Sequence, residues 1–385
     1  MNIEPALKAL AAALHGEGPA VELSAGPDGE PVVTPVPTPA FEDAVAVVRT
    51  SGSTGTPKAT VLTVDALAAS SMATAFALKG EGQWLLALPL QYVAGVQVLV
   101  RSLFAGTRPW AMDLSGGFTA DAFTAAALEL TDNIRFTSLV PTQLQRLLAD
   151  PSSDTLAVLR RFNGILLGGA PASPELLESA REAGLRVVTT YGAAETCGGC
   201  VYDGYPLEGV ALRLAEDGRI HLGGTTLAAG YLNAPGQTAE AFVEEDGTRW
   251  YRTNDLGMLD ADGRLTVLGR ADDVIITGGV KVSAAHVQAE LEKSDGVRAA
   301  FVAGVTSAKW GQAVAAYVAV AGSPSGDGAS SAARDGAAWA EEWHRTLGLL
   351  APKTVLPANE LIMLPNGKPD RLAMIERLNA LHQGK

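Results

Sequence analysis

Arg49-Thr50-Ser51-Gly52-Ser53-Thr54-Gly55-Thr56-Pro57-Lys58 is the stretch that decides how the rest of the chain is read. An apolar run at 45–48 leads into it, and a stretch of helical composition follows. The hydroxyl side chains of Thr50, Ser51, Ser53 and Thr54, two glycines (Gly52, Gly55) and Lys58 fall within ten residues. Glycine lets backbone N–H groups approach phosphate oxygens, the hydroxyls donate further hydrogen bonds, and the lysine neutralises charge. The segment reads as a strand–loop–helix cradle for a polyphosphate. It departs from the common ATPase loop, where Gly-Lys is followed by Ser or Thr, because Pro57 separates the glycine from Lys58.

Outward from this loop, the organisation follows from pattern. Leu7, Leu10, Ala11 and Leu14 share one face of an amphipathic helix over 3–15, and a loose segment rich in Pro and Gly extends to about residue 40. Short apolar runs at 84–88, 136–140, 165–167 and 187–190 alternate with helical stretches. Pro141 and Pro174 sit at first helical turns, and Ser173 is a natural N-cap. Strand, loop and helix in repetition call for a parallel sheet covered by helices. After residue 205 the signals change. Asp217-Gly218, Asp246-Gly247 and Asp262-Gly263 are hairpin turns between alternating strands, which predicts a small antiparallel β unit over about 205–268. From about 270 come a strand at 274–277, a Gly-Gly turn, a helix at 284–293, strands at 298–304 and 313–320, helices near 338–348 and from 371, and a flexible insertion at 321–337. The expected fold class is α/β. A large N-terminal domain (1–270) holds parallel sheets flanked by helices plus the antiparallel unit, and a small mobile α+β domain (271–385) follows.

Composition narrows the function. A chain of 385 residues exceeds a single compact core, and 47% hydrophobic against 18% charged residues excludes overall disorder. A formal charge of −13 argues against general nucleic-acid binding, so any polyphosphate must be held by a local cluster of donors. The acidic start MNIEPALKAL is no secretory signal, and no apolar run is long enough to span a membrane, so the expected location is cytoplasmic, with a homodimer left open. Cys197 and Cys200 cannot complete a structural zinc site, no histidine shows metal spacing, and the two cysteines read as lining for a pocket beside Glu195.

Six segments in one order resemble the adenylate-forming superfamily of acyl-CoA synthetases, luciferases and peptide-synthetase adenylation domains. They are the loop at 49–58, Gly168-Gly169-Ala170-Pro171, Tyr191-Gly192-Ala193-Ala194-Glu195, Tyr251-Arg252-Thr253-Asn254-Asp255, Gly269-Arg270-Ala271-Asp272-Asp273 and Asn366-Gly367-Lys368. The resemblance implies an ATP site built from Thr50 to Gly55, Lys58, Gly169, Ala170, Tyr191, Gly192, Thr196, Asp255 (ribose) and Arg270. It implies Mg2+ on Glu195, catalytic roles for Lys368, Glu195 and Lys58, a hinge at Asp272, and a coenzyme A channel beside Gly278 and Gly279. Read without it, Asp255 is a turn acid, Arg270 a surface ion-pair residue and Lys368 a turn lysine.

Within the superfamily, the compact region ahead of the loop and the run from Ala193 to Gly204 resemble the o-succinylbenzoate–CoA ligases of menaquinone biosynthesis. Gln91, Thr142, Gln143 and Thr196 are the candidate contacts to such an acid. This implies ATP-dependent adenylation of a carboxylate, release of pyrophosphate, and transfer of the acyl group to coenzyme A. Two positions depart from the family pattern: Ala194 stands where Ser or Thr precedes the acid, with Thr196 as the candidate substitute, and Gln91 stands where His is common. Most members also carry a longer segment ahead of the loop, which implies that part of the acyl pocket or dimer surface is absent or rebuilt. The alternatives are another aryl- or acyl-CoA synthetase, an adenylation enzyme loading a carrier protein, and a non-catalytic nucleotide-binding module.

Overall fold

The computed structural model describes residues 1–26, 29–37, 41–50, 58–320, 339, 341–364 and 369–383. The expected insertion at 321–337 and the calls on Ser51, Gly52, Ser53, Thr54, Gly55 and Lys368 lie outside the described residues. The chain divides into two compact units. The first comprises Met1–Ala215, Ile220–Thr253 and Leu259–Leu265, and the second comprises Glu216–Arg219, Asn254–Met258 and Thr266–Lys385.

In the first unit, helix α1 (Glu4–Leu14) precedes strands β1 (Val21–Ala25), β2 (Pro31–Pro35), β3 (Ala44–Thr50) and β4 (Lys58–Thr63). Together with β14 (Gly230–Tyr231) these form a sheet of order β14-β4-β3-β1-β2. Two expectations are corrected here. The segment before residue 40 is not all loose, since β1 and β2 form an antiparallel pair. Val21 and Leu23 are buried in alternation on β1, and the prolines that disguised β2 are tolerated because it is the edge strand. The hydroxyl-rich loop does not open a helix. It joins β3 to β4, which pair antiparallel with Thr50 opposite Lys58. The run Thr60-Val61-Leu62-Thr63, three of whose four residues are β-branched, extends as strand, and helix α2 (Val64–Ala77) begins only after the Thr63 hydroxyl caps it.

The second sheet has the order β11-β10-β9-β8-β7-β5-β6. Strands β5 (Gln83–Leu86), β6 (Trp110–Ala111), β7 (Arg135–Leu139), β8 (Gly164–Leu167) and β9 (Val187–Ala193) run parallel, as the repeated strand–helix pattern predicts. Strands β10 (Gly198–Tyr202) and β11 (Tyr205–Pro206) close its edge antiparallel. The parallel strands are apolar on both sides because both faces are covered. From β5, Trp84 and Leu86 pack with α1, α2 and α3 (Val93–Phe104), whereas Leu85 and Ala87 enter a separate core with α4 (Ala120–Leu128), α5 (Pro141–Leu148), α6 (Ser153–Arg160) and α7 (Pro174–Glu182). The expected hairpins form a third sheet of order β12-β13-β16-β15, from β12 (Val210–Leu214), β13 (Arg219–Gly224), β15 (Phe242–Glu245) and β16 (Thr248–Leu259). Helix α8 (Pro235–Ala241) lies between β14 and β15 in sequence.

In the second unit, after β17 (Leu265–Arg270), strands β18 (Val274–Thr277), β19 (Val280–Ser283), β20 (Val297–Ser307) and β21 (Gly311–Val320) form a sheet of order β19-β18-β21-β20, with β22 (Thr354–Ala358) parallel to β21. Alternation along β21 separates two cores. Val314, Ala316 and Val318 meet α9 (Ala284–Leu291), Trp339 and Trp343, while Ala313, Ala315 and Tyr317 meet Met374 and Leu378 of the C-terminal helix Arg371–Gln383. No helix among the described residues is long and apolar enough to cross a membrane.

Ser173 caps α7 by accepting from the Leu176 N–H at 3.2 Å, with Pro174 at the first position, as its sequence predicts. Replacing a capping serine with alanine removes one acceptor from an otherwise intact helix. Ser173→Ala should therefore lose about 1 kcal/mol of stability in urea unfolding with an unchanged slope.

Candidate active site

The site is built where β4, β14 and the turn after β9 meet. Strand β9 passes into a short 3-10 turn, Ala194–Thr196, which ends in Cys197 at φ 53°. The Thr196 hydroxyl accepts from the Ala193 N–H at 2.9 Å and donates to the Gly198 carbonyl at 2.8 Å. The Cys197 carbonyl accepts from Gln97 and Ser70, and the Glu195 carbonyl accepts from the Ala228 N–H at 2.9 Å. A β-carbon at Gly192 would come within 2.1 Å of the Gly198 carbonyl oxygen, so only glycine permits this approach of β9 and β10. These contacts leave the Glu195 side chain little freedom of direction.

Its carboxylate is buried, with the residue 6% exposed, and one oxygen accepts from the Tyr231 hydroxyl at 2.8 Å. Tyr231 stands across from Thr60 in the β14–β4 pairing, and Thr60 and Lys58 share a face of β4. The ring is therefore diagonal to Lys58, whose Nζ lies 3.5 Å from the hydroxyl and 4.7 Å from the ring centroid. Phe242 packs edge-on against the ring, and the Tyr231 N–H donates to the Thr238 hydroxyl at 2.9 Å. Arg249 donates to the Ala228 and Ala229 carbonyls at 2.7 and 2.6 Å and so holds the approach to β14. Burial and the adjacent Glu195 charge push the Tyr231 phenol well above its usual pKa, which keeps it a donor.

Thus Lys58 and Glu195, proposed from separate motifs, meet through one hydroxyl. Tyr231 was not singled out from the sequence. Its signal was Gly230-Tyr231 inside an apolar run, where a buried tyrosine needs a partner for its hydroxyl. Arg249 was missed as well. A single buried carboxylate next to a lysine fits Mg2+, which takes one or two protein carboxylates and completes its shell with water and phosphate oxygens. No cluster of three metal-binding side chains occurs among the described residues, so a protein-only metal cage has no support there.

Other expected contacts fall nearby or find different work. Gly169 and Ala170 follow β8, Gln91 follows β5, and Thr142 lies in the first turn of α5, all past the carboxyl ends of parallel strands, where α/β sheets bind ligands. Thr50 ends β3 opposite Lys58. Tyr191 is partly buried against the small core that contains Cys200, Val201 and Ile220. The buried Gln143 accepts from the Val140 N–H at 3.0 Å and donates to the Ala87 carbonyl at 2.9 Å, which ties α5 to the end of β5. The Thr196 hydroxyl is engaged inside its own turn, so it is not positioned to replace the hydroxyl lacking at Ala194.

In the second unit Arg270 makes a two-toothed pair with Asp272, at 2.8 and 2.7 Å, and lies 3.6 Å from Asp255. Three residues expected from two motifs are therefore one charge cluster. Burial works to lower the Arg270 pKa, but its pairing with Asp272 and the charges of Asp255 and Asp273 raise it overall. Gly278 and Gly279 form the turn between β18 and β19 at φ 56° and 84°, the left-handed pair that a two-residue hairpin requires.

Comparison with known proteins adds to this geometry. The AMP-binding enzyme family matches residues 4–232, more than half of the chain. The chain belongs to the AMP-binding enzyme family. It is 42% identical over 339 residues to a probable 2-succinylbenzoate--CoA ligase of Mycobacterium tuberculosis, covering 87% of this chain and 85% of that protein. It is 32% identical over 301 residues to the 2-succinylbenzoate--CoA ligase of a Geobacillus species, covering 72% of this chain and 59% of that protein. Among solved family structures, the o-succinylbenzoate CoA synthetase of Bacillus subtilis in complex with the acyl-adenylate intermediate OSB-AMP superposes with a TM-score of 0.71 at 26% identity, covering 89% of this chain and 72% of that one. ATP-bound MatB of Rhodopseudomonas palustris shares the fold, with a TM-score of 0.75 at 24% identity over 93% of this chain and 74% of that one.

Both cysteines are fully buried. Burial pushes the Cys200 thiol up to about 12 and raises Cys197 further, so neither supplies a thiolate near neutrality. Native protein should give no fast reaction with a disulfide reagent at pH 8, and both thiols should titrate after unfolding in guanidinium chloride. Rapid native labelling would contradict the buried placement.

Proposed function

We propose that this chain is an AMP-forming acid–thiol ligase that converts 2-succinylbenzoate to its coenzyme A thioester. The observation that carries the adenylation half is the meeting of Lys58 and Glu195 across the Tyr231 hydroxyl, at the end of a loop suited to phosphates. The choice of acid rests on the 42% identity to the mycobacterial relative over most of both chains.

The chemistry follows from charge. In the first step a carboxylate oxygen of the acid attacks the α-phosphorus of ATP, and the bond to pyrophosphate breaks. The acid is already ionised near neutrality, so no general base is needed. The barrier is mainly repulsion between anions and their positioning. Mg2+, when bound at Glu195, supplies a double positive charge to the phosphate oxygens. Lys58 adds a single charge at the loop's end, and Tyr231 fixes the carboxylate so that it need not reorganise during the reaction. In the second step the thiol of coenzyme A attacks the acyl carbon, and AMP leaves with the electron pair of the mixed anhydride. On the resemblance, Lys368 serves the first step and Asp272 is the pivot between the two. The Asp272 pair with Arg270 ties that pivot to a neighbouring charge. Gln91, Thr142, the glycines after β8 and Gly192 near the end of β9 border the ends of the parallel strands, where the acid and adenine would lie.

The test is pyrophosphate release and thioester formation across a panel of aromatic and aliphatic acids. 2-Succinylbenzoate should give the highest kcat/KM, and both products should need Mg2+. Lys368→Ala should lower adenylation by at least about 100-fold, the scale of one lost charge-stabilising donor, yet spare thioester formation from synthetic acyl-adenylate. Asp272→Pro should show the reverse pattern. Equal loss of both steps in Lys368→Ala would contradict its role, and pyrophosphate release with no thioester would shift the reading to another acceptor.

A further inference from the structure

A second polar site lies at the opposite end of the parallel sheet from the ligand-facing loops. A hollow of about 30 Å³ is bounded by the starts of β5 and β7 and by α2 and α3, with Ser71, Thr74, Glu81, Trp84, Arg101 and Phe136 among its walls. It has room for one or two atoms of solvent size, and nothing as large as a nucleotide.

Two of its walls carry buried donors with no partner among the described residues: Arg101 Nε, on a residue 6% exposed, and Ser71 Oγ, on a residue 7% exposed. Thr74 is already engaged with the Tyr202 hydroxyl at 3.0 Å. Arg101 rests over the Trp84 ring, its guanidinium carbon 5.2 Å from the centroid, which orients the head but brings no counter-charge. Glu81, the one carboxylate of those walls, is exposed and forms no ion pair with Arg101 among the described residues. A guanidinium carries only donors, so its buried N–H needs an acceptor from outside the group. A buried cation without an anion is costly, while one supplied with a small anion and a second donor is satisfied.

We propose that this hollow binds a single halide-sized monovalent anion, held by Arg101 and Ser71 and backed by Trp84. The ion locks α2 to α3 near the starts of β5 and β7. The inference stands independently of the assigned reaction, since none of these residues is placed in the catalytic machinery.

Bromide is the probe. Crystals of the full-length protein soaked in sodium bromide should show an anomalous peak within hydrogen-bond reach of both the Arg101 guanidinium and Ser71 Oγ. In thermal unfolding at constant ionic strength, replacing gluconate with chloride should raise the Tm of the wild type. Ser71→Ala should move the midpoint of that response to about tenfold higher chloride, the effect of one hydrogen bond to a charged group. Arg101→Met should abolish the response while keeping or raising the Tm in gluconate. If Arg101→Met does not fold, Ser71→Ala alone decides. Water at the site in bromide-soaked crystals, or identical chloride responses in wild type and Ser71→Ala, would overturn the proposal.

Discussion

The hydrogen bond from the Tyr231 hydroxyl to the buried Glu195 carboxylate is the interaction on which the rest of the site depends. An ionised carboxylate shielded from water must be paired, and a removed partner leaves the full desolvation cost in place. Around this one contact, three elements far apart in sequence are fixed in register. The β14–β4 pairing sets Tyr231 opposite Thr60 and diagonal to Lys58. The 3-10 turn after β9 aims Glu195, and Arg249 secures the carbonyls just ahead of β14. A slip of one residue in β14 would turn Tyr231 to the other face and separate the lysine from the acid.

Much of this fold was legible because it obeys simple periods. The parallel strands at 84–88, 136–140, 165–167 and 187–190 appear near those positions, and their unbroken apolar character follows from cover on both faces. The three Asp-Gly turns each join strands of the antiparallel sheet, and Gly278-Gly279 closes its hairpin. The errors are equally physical. Pro31 and Pro35 hid an edge strand, where a missing N–H costs little. The hydroxyl-rich loop follows a strand as helix-opening loops do, yet Thr60, Val61 and Thr63 after it are β-branched, and the chain continues as strand until Thr63 caps α2.

The site was legible one residue at a time but not as an assembly. Glu195 and Lys58 could be proposed from motifs, but the side chain that joins them could not, because cross-strand partners leave no mark at fixed sequence spacing. Thr196 and Gln143 show the opposite limit. The Thr196 hydroxyl is engaged within its own turn, and the Gln143 amide is shared between the Val140 N–H and the Ala87 carbonyl at the end of β5. In the second unit, Arg270, Asp255 and Asp272 were expected in separate roles and form one charge cluster. A ribose or phosphate reaching Arg270 must therefore compete with a carboxylate already in place.

The central claim is that Tyr231 holds the Glu195 carboxylate proposed to bind the metal. Binding of Mn2+, as a spectroscopic stand-in for Mg2+, to the complex with a non-hydrolysable ATP analogue tests it most directly in wild type and Tyr231→Phe. A lost partner behind a metal ligand should weaken the metal by about 10–100-fold, with the fold intact by circular dichroism. Unchanged Mn2+ affinity in a folded Tyr231→Phe protein would contradict the account.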